Sequence, residues 1–396
     1  MSFWRLKYSL VPGTDAKNNK LALFIAILGV ISFVYYVVAW NLDRNSSAKS
    51  NWIPKKRYTG SGEAVDDPLF YNPSKQSAQS ANDKIAIVIV VTNDTNPLNY
   101  DAAIKSVQCY CKIHNYDFVL AIDTDFNCPH KDKFFRRHCA AAKILPLYSA
   151  ILFLDADIGV VNPKRKIEEF MEEPFDVIFY DRFYNWEIMA GSYIARNTQY
   201  AVDLLNGFAD YEFKLPKSFH GTDNGALHIF LAEKLFPQNM IEIDICRQVY
   251  NKSLDFADLF TYEACIRAIM GAGTDFGKVR VMRKGTGWAR DGWLTSMLWH
   301  PELDFMFHGM KMNQLKETPT NAIAPDQMGR SQWYNFLSGP IDLLKCTPGN
   351  TTWFYDPRLF GNKDDILESL KKFYKQVAVD QVNHYSRMTG ALARWG

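Results

Sequence analysis

The sequence has few of the features that mark nucleic-acid-binding, zinc-binding or disordered proteins. Its 396 residues carry a net charge of only +2. No block of basic residues is interleaved with aromatic ones, so a nucleic-acid partner is not expected. The seven cysteines include no CxxC pair followed by a second such pair, which argues against structural zinc. With 47% hydrophobic and 22% charged residues, the composition is that of a globular protein with a substantial core.

One long apolar run dominates the first part of the chain. Residues 21–40 read LALFIAILGVISFVYYVVAW and contain no charged side chain. As a helix this run would be about 30 Å long, the thickness of the hydrocarbon core of a bilayer. The apolar part of a cleaved signal peptide is shorter, about 7–15 residues. We therefore predict a cytoplasmic tail (1–20), a transmembrane signal anchor (21–40) and a flexible stem rich in Ser and Asn (41–82).

The charges on either side of the anchor do not orient it, because basic residues precede and follow it. Four N-glycosylation sequons lie on its C-terminal side, at Asn45, Asn93, Asn251 and Asn350. They favour a type II protein whose large C-terminal domain is lumenal. In such a compartment one or two disulfides are possible, with at least one thiol left over, and the sequence does not assign their pairing.

The segment after the stem alternates between strand and helix patterns. KIAIVIVVT (84–92) is a continuous β-branched run, typical of a strand that is covered on both faces. Helical spacing follows at 100–114, a second strand at 116–123, a helix at 133–148 and a third strand that leads into Asp155. This order predicts an α/β fold with a mostly parallel sheet, in which ligands bind beyond the carboxyl ends of the strands. Further strands are predicted at 176–182 and 189–197, and helices at 198–213 and 223–235.

Two aspartates stand where the third strand ends. In AILFLDADIGVV (150–161) the apolar run leads directly into Asp155 and Asp157. Two carboxylates at this spacing leave the sheet together, and with water and a phosphate they form an oxygen site for Mg²⁺ or Mn²⁺. The alternative is an ordinary polar turn that ends the strand, since Asp is a favoured turn residue.

A second motif supplies different ligand chemistry. FMFHGMK (305–311) places His308 and Lys311 on either side of Gly309. His308 can act as a third, nitrogen ligand, which favours Mn²⁺ over Mg²⁺, and Lys311 is a point charge suited to a diphosphate. Alternatively, a histidine between Phe and Gly is a residue of the core.

Together the two motifs resemble those of metal-dependent glycosyltransferases of the GT-A fold. GSYIARNTQYAVDLLNGFA (191–209) and HGTDNGALHIFL (220–231) resemble segments of the retaining families 34 and 8. FRRHC, LDADIGVVNP and WARDGW resemble stretches shared by a nematode family labelled domain of unknown function 273. The resemblance implies a Rossmann-like GT-A catalytic domain at 83–315, followed by a C-terminal extension (316–396) packed on it.

The resemblance also implies an activity, a location and site residues. The protein would transfer a hexose or pentose from a UDP- or GDP-sugar to a glycan, glycoprotein or glycolipid, with retention, at the Golgi or ER membrane. Asp155, Asp157 and His308 would bind Mn²⁺ (or Mg²⁺), and Lys311 would neutralise the leaving diphosphate. The base and ribose would contact the residues that follow the first strand, namely Thr92, Asn93 and Asp94.

The sugar pocket of the relatives corresponds to the start of the predicted helix 223–235. Asp223 matches their pocket carboxylate, although it could equally be a helix N-cap residue. Asn224 stands where those relatives have Gln, and a covalent intermediate on this shorter side chain is not expected. A same-face displacement assisted by the diphosphate needs no protein nucleophile. Arg137 and Lys143 could reach the phosphates, or they could belong to a solvated helix face.

Three alternatives remain open from the sequence. GTGWARDGW (285–293) could form a sugar-stacking wall or could be core packing of two Trp side chains. LFLDADIGV resembles the haloacid-dehalogenase motif, in which Asp155 would be the nucleophile of a phosphohydrolase, although Gly159 replaces its Thr or Val. The chain could also be a catalytically inactive, membrane-tethered sugar-binding relative.

Overall fold

The computed structural model describes residues 82–321, 332–351, 353 and 355–395. The predicted tail 1–20, the transmembrane segment 21–40 and all but the last residue of the stem 41–82 lie outside these residues. Among the described helices, none combines the length and the hydropathy that a membrane span needs.

Ten β-strands and seven α-helices make up the described domain. The strands are β1 (Asn82–Val91), β2 (Asp117–Ile122), β3 (Tyr148–Leu154), β4 (Ile158–Val160), β5 (Val177–Tyr180), β6 (Ser192–Arg196), β7 (Asp275–Phe276), β8 (Val279–Met282), β9 (Ala289–Asp291) and β10 (Met306–His308). The helices are α1 (Asp101–His114), α2 (Lys133–Ile144), α3 (Gln199–Ala209), α4 (Thr222–Leu235), α5 (Met240–Tyr250), α6 (Phe256–Met270) and α7 (Lys363–Trp395).

Strand β1 lies inside the main sheet and is covered on both faces. It pairs in parallel with β2 on one side and with β3 on the other. Val88 and Val90 belong to the hydrophobic cluster on one face of the sheet, whereas Ile87 and Ile89 belong to the cluster on the opposite face. Because successive side chains of a strand point to opposite faces, both faces of β1 must be apolar. The predicted strand–helix–strand–helix–strand order is confirmed.

The main sheet is mostly parallel, as predicted, but two of its strands, β6 and β7, run in the opposite direction. Its seven strands lie in the order β2-β1-β3-β6-β5-β8-β7. Strand β6 is antiparallel to both of its neighbours, β3 and β5. The connection from β5 to β6 spans 181–191 and contains no helix. A parallel return requires a crossover of about a dozen residues or more, usually helical, so this short connection reverses the chain.

A small second sheet forms beyond the carboxyl end of β3. It has the order β4-β10-β9, with β10 antiparallel to β4 and parallel to β9. Each of its strands has three residues, too few to produce a recognisable period in the sequence. The sequence patterns therefore did not predict this sheet.

The described C-terminal residues contact the rest of the domain through a long helix. Helix α7 runs for 33 residues and buries Ile366, Leu370 and Val377. Ile366 and Leu370 join a hydrophobic cluster that includes Phe307 and Met310, which lie on either side of His308 and Gly309. Helix α7 thus packs against the segment that carries His308.

Three disulfides correct the expectation of one or two. They join Cys109 to Cys346, Cys128 to Cys139 and Cys246 to Cys265, with Cα separations of 5.2, 6.1 and 5.6 Å. Cys111 is the remaining thiol and is buried. Cys128 and Cys139 also lie beside His130, but their sulfurs are bonded to each other and so are not available as metal ligands.

Candidate metal centre and its cleft

The small sheet brings the two sequence motifs together. In the β4–β10 pairing, His308 lies opposite Ile158, the residue after Asp157. The carbonyl oxygen of Asp157 accepts hydrogen bonds from the backbone N–H groups of Gly309 (3.0 Å) and Met310 (2.8 Å). Gly309 has φ +99°, in the left-handed region, and an added Cβ there would collide with the ring of Trp333. The backbone therefore holds the second motif against the first.

Asp155, Asp157 and His308 form a cluster of three potential metal ligands. One ligand atom from each lies within 4.8 Å of the others. His308 Nε2 is 3.4 Å from Asp157 Oδ1, and Lys311 Nζ is 3.5 Å from Asp157 Oδ2. The structure thus brings together all three predicted ligands and the predicted cation.

The charges of this cluster stabilise one another. Burial alone would raise the pKa of Asp157, but His308 and Lys311 outweigh it and lower the pKa to about 2. Burial alone would lower the pKa of His308, but the carboxylates of Asp157 and Asp291 raise it to about 10. In the metal-free protein at neutral pH, His308 is therefore a cation between two carboxylates.

Asp155 is held from two sides. Arg137, on α2, forms an ion pair with its carboxylate, and Gly191, just before β6, faces it. A Cβ on Gly191 would collide with Asp155 Oδ2, so only glycine leaves room for this carboxylate. Burial raises the pKa of Asp155, while Arg137 opposes that shift by favouring the charged form.

Asp223 lies behind Arg137 and not on the wall of the cleft. Its side chain is 1% exposed, and its Oδ2 accepts hydrogen bonds from Arg137 Nη2 (2.6 Å) and His138 Nε2 (3.1 Å). Burial opposes ionisation, but Arg137 and His138 lower the pKa of Asp223 to about 2. Burial lowers the pKa of His138 to about 4, so this ring is neutral. Asp223 thus orients Arg137, and it sits in the first turn of α4 with Gly221 as the N-cap residue.

Asp291 and Arg182 complete the surroundings of His308. Asp291 Oδ1 accepts hydrogen bonds from His308 Nδ1 (2.8 Å) and from Arg182 Nη2 (2.9 Å). Arg182 also donates to Glu187 (3.2 Å). No role was predicted from the sequence for Asp291, Arg182 or Glu187. Arg182 follows β5, whose carboxyl end lies at the same edge as that of β3, and the rule for sheet edges could have found it.

These residues surround a cleft of about 350 Å³. Of the predicted site residues, seven line it: Thr92, Arg137, Asp155, Asp157, Asn224, His308 and Lys311. Lining residues that the sequence analysis did not single out include Thr95, Tyr100, Asp123, Lys133, Phe134, Arg182 and Met189. Several of them directly follow a strand of the main sheet or begin α2. Their place next to predicted elements could therefore have indicated that they line the cleft.

Other predicted residues lie elsewhere. Asn93 and Asp94 are exposed and do not line the cleft, although Asp94 accepts a hydrogen bond from Thr92. Lys143 donates to the carbonyls of Phe126 (2.6 Å) and Asn127 (3.4 Å) and does not reach the cleft. It lies in the last turn of α2, whereas the cleft contacts the first turns, so a phosphate contact by Lys143 is not supported.

The two Trp side chains of GTGWARDGW do not form a wall of the cleft. Trp288 is 1% exposed and donates from Nε1 to Ser192 Oγ at 2.8 Å. Trp293 packs edge-on against Tyr184 and Phe373. Of the two alternatives for this stretch, core packing is the one that the structure shows.

The cluster fits a divalent cation. Two carboxylates and one imidazole are suitable ligands, and the contact with Asp291 leaves His308 Nε2, the nitrogen that faces Asp157, free to bind a metal. Gly191 provides the space in which Asp155 takes its position. Asp155, Asp157 and His308 are the residues that would hold such an ion.

Comparisons with known proteins give a family match and partial structural likenesses. The family described as "Protein of unknown function, DUF273" matches residues 107–325, more than half of the chain. No curated protein matches the sequence. A solved viral protein, described as "a glycosyltransferase involved in the glycosylation of the major capsid of PBCV-1", is 20% identical, with a TM-score of 0.31 over 39% of this chain and 77% of its own.

A protein from STIV of known crystal structure is 14% identical, with a TM-score of 0.20 over 31% of this chain and 66% of its own. Structural similarities this low carry no information about the chemistry of the chain, which depends on its own residues.

Replacing Gly191 by Ala should weaken Mn²⁺ binding by at least about tenfold, because the added methyl group displaces a ligating carboxylate. Isothermal titration of the full-length protein in detergent measures this. Gly207→Ala is the matched control, because its Cβ would meet Phe230 at an ordinary 3.4 Å inside α3. Unchanged Mn²⁺ binding in Gly191→Ala would contradict the placement of Asp155 in the metal site.

Mn²⁺ affinity should rise with pH between about 6 and 9. The pKa of His308 is raised to about 10, so the ring is protonated throughout this window and a metal must displace its proton. Each unit of pH should strengthen binding by up to about tenfold. His308→Gln has no such proton to displace and should bind more weakly with a flatter pH profile. Equal slopes in the two proteins would show that His308 does not ligate the ion.

Proposed function

The chain belongs to the family described as "Protein of unknown function, DUF273", and we propose that it is a metal-dependent glycosyltransferase. It transfers a hexose or pentose from a UDP- or GDP-sugar to a glycan, glycoprotein or glycolipid acceptor. The observation that carries the proposal is the convergence of Asp155, Asp157, His308 and Lys311 on one cleft beyond the carboxyl ends of the main-sheet strands.

A nucleoside diphosphate sugar matches the chemistry of this cleft. Breaking its sugar–phosphate bond places negative charge on the departing diphosphate. A Mn²⁺ (or Mg²⁺) ion held by Asp155, Asp157 and His308 would supply positive charge for the diphosphate when bound. Lys311 adds a further cation, and its side chain is 43% exposed, so it can move toward a phosphate.

The nucleoside would occupy the part of the cleft next to β1. Thr92, Thr95 and Tyr100 line this part, and the hydroxyl groups of Thr92 and Thr95 are 2.8 Å apart. They offer hydrogen bonds to a ribose or a base, and Tyr100 offers an apolar face. Lys133 and Arg137 line the same cleft and add positive charge for the phosphates.

Retention of the anomeric configuration without a protein nucleophile fits the states of Asp223 and Asn224. Asp223 is buried and engaged by Arg137 and His138, whereas its neighbour Asn224 lines the cleft. An amide is a poor nucleophile, so we favour a same-face displacement in which the departing diphosphate takes the proton from the acceptor. In this scheme Asn224 orients the sugar, and Asp223 acts only by orienting Arg137.

The phosphohydrolase alternative is less well supported. It requires Asp155 to attack a phosphate, but the Arg137 guanidinium pairs with this carboxylate and Gly191 closes its other side. Asp155 also shares a metal-ligand cluster with a histidine, which that mechanism does not use.

A nucleotide-sugar donor should stabilise the full-length protein in detergent only when Mn²⁺ is present. At 100 times its dissociation constant a ligand adds about 2.7 kcal/mol to the free energy of unfolding. A thermal-shift panel of UDP- and GDP-sugars measures this, and Asp155→Asn and Asp157→Asn should both abolish the shift.

Asp203→Asn, on the exposed face of α3, is the matched control and should leave the shift unchanged. If either cleft variant kept the metal-dependent shift, the site assignment would be wrong.

The proposed location is the Golgi or ER membrane, with residues 21–40 as a type II anchor and the described domain in the lumen. Three disulfides in the described residues support an oxidising compartment. Asn251, the exposed C-cap residue of α5, begins a sequon that a glycan can occupy without displacing packed side chains.

When the full-length chain is made in eukaryotic cells, Asn251 should carry an N-linked glycan. Glycosidase treatment followed by peptide mass spectrometry identifies the site, and Asn251→Gln should remove one glycan. A chain without a glycan at any of its sequons would speak against a lumenal domain. Glycans at other sequons alone would contradict only the assignment to Asn251.

A further inference from the structure

Asp291 lies on β9, directly beside His308 on the neighbouring strand β10. In the parallel β9–β10 pairing the two residues are register partners, and Asp291 Oδ1 accepts a hydrogen bond from His308 Nδ1 at 2.8 Å. Asp291 is 4% exposed and lies behind the ring, on the side away from Asp157. It therefore contacts the candidate ligand and not the candidate metal position.

Arg182 fixes Asp291 in turn. Its Nη2 donates to the same oxygen, Asp291 Oδ1, at 2.9 Å, and its Nη1 donates to Glu187 at 3.2 Å. The guanidinium also lies over the ring of Tyr184, 4.6 Å from its centroid. If the Asp291 carboxylate rotated away, the ion pair would break and leave two buried charges without partners. Such a state is strongly destabilising, so the pair holds the carboxylate in place.

This arrangement decides which nitrogen of His308 can bind a metal. A hydrogen bond from Nδ1–H to Asp291 places the proton on Nδ1 in the neutral ring and leaves the lone pair on Nε2. Nε2 faces Asp157 at 3.4 Å. Without Asp291 the ring could rotate, and the proton could sit on either nitrogen, so a fraction of the rings would present no lone pair to the site.

We infer that Asp291, held by Arg182, is a positioning residue that fixes the ring and the tautomer of His308 for metal binding. The inference rests on the proposed metal site and adds to it two residues outside the candidate ligand cluster, Asp291 on β9 and Arg182 just after β5. Partners of this kind typically change metal affinity by about 10–100-fold when they are removed.

Asp291→Asn should weaken Mn²⁺ binding by the full-length protein in detergent by about 10–100-fold, as measured by titration calorimetry. The matched control is Asp304→Asn. Asp304 is 3% exposed and pairs with Arg290 at 2.6 Å, so it is an equally buried ion pair beside the same strands. Asp304→Asn should lower the melting temperature and leave Mn²⁺ affinity within about twofold. Equal losses of affinity in the two variants would overturn the inference.

A double-mutant cycle separates positioning from general damage to the fold. If Asp291 acts through His308, Asp291→Asn should have no further effect on Mn²⁺ affinity in a His308→Ala background. Additive losses would show that Asp291 acts by another route and would overturn the inference. A wild-type protein that bound no Mn²⁺ would overturn the proposed metal site itself, whereas unaltered affinity in Asp291→Asn would overturn only the role of Asp291.

Discussion

The pairing of β4 with β10 is the interaction on which the candidate site depends. Two backbone N–H groups, from Gly309 and Met310, donate to the carbonyl of Asp157 and join segments that are far apart in the chain. Without this pairing, His308 would not lie beside Asp155 and Asp157, and the cluster of three potential ligands would not form. The backbone hydrogen bonds between β4 and β10 fix the register of the pair. A shift of one residue would turn the His308 side chain to the other face of the strand.

Buried charge is the second constraint. Four of the carboxylates that line the cleft or lie behind it are held by cations near the candidate metal position: Asp155 and Asp223 share Arg137, Asp157 contacts His308 and Lys311, and Asp291 contacts His308 and Arg182. A buried charge without such a partner would be strongly destabilising. The same pairs hold the candidate ligands in place without an ion, which would reduce the reorganisation needed for the proposed binding.

Much of the fold could be predicted from local patterns. The β-branched run of β1 and the apolar run before Asp155 each predicted a buried strand, because a strand covered on both faces must be apolar throughout. The direction of β6 and the small sheet could not be predicted, since they depend on a short connection and on three-residue strands. Arg137 lines the cleft, whereas Lys143, further along the same helix, does not. Helical spacing alone does not show which turn of a helix meets the edge of the sheet.

The sequence by itself determined the local chemistry of this protein: two carboxylates at the end of a buried strand, a histidine and a lysine around a glycine, and no basic surface for nucleic acid. Only the tertiary structure decided which of these groups meet and in what state. Asp291 and His138 have no local signature, since each acts through a contact with a residue distant in sequence. The environment of a charge depends on what the fold buries beside it. The sequence could therefore indicate the candidate ligands, whereas only the structure shows the partners that orient them and set their charge.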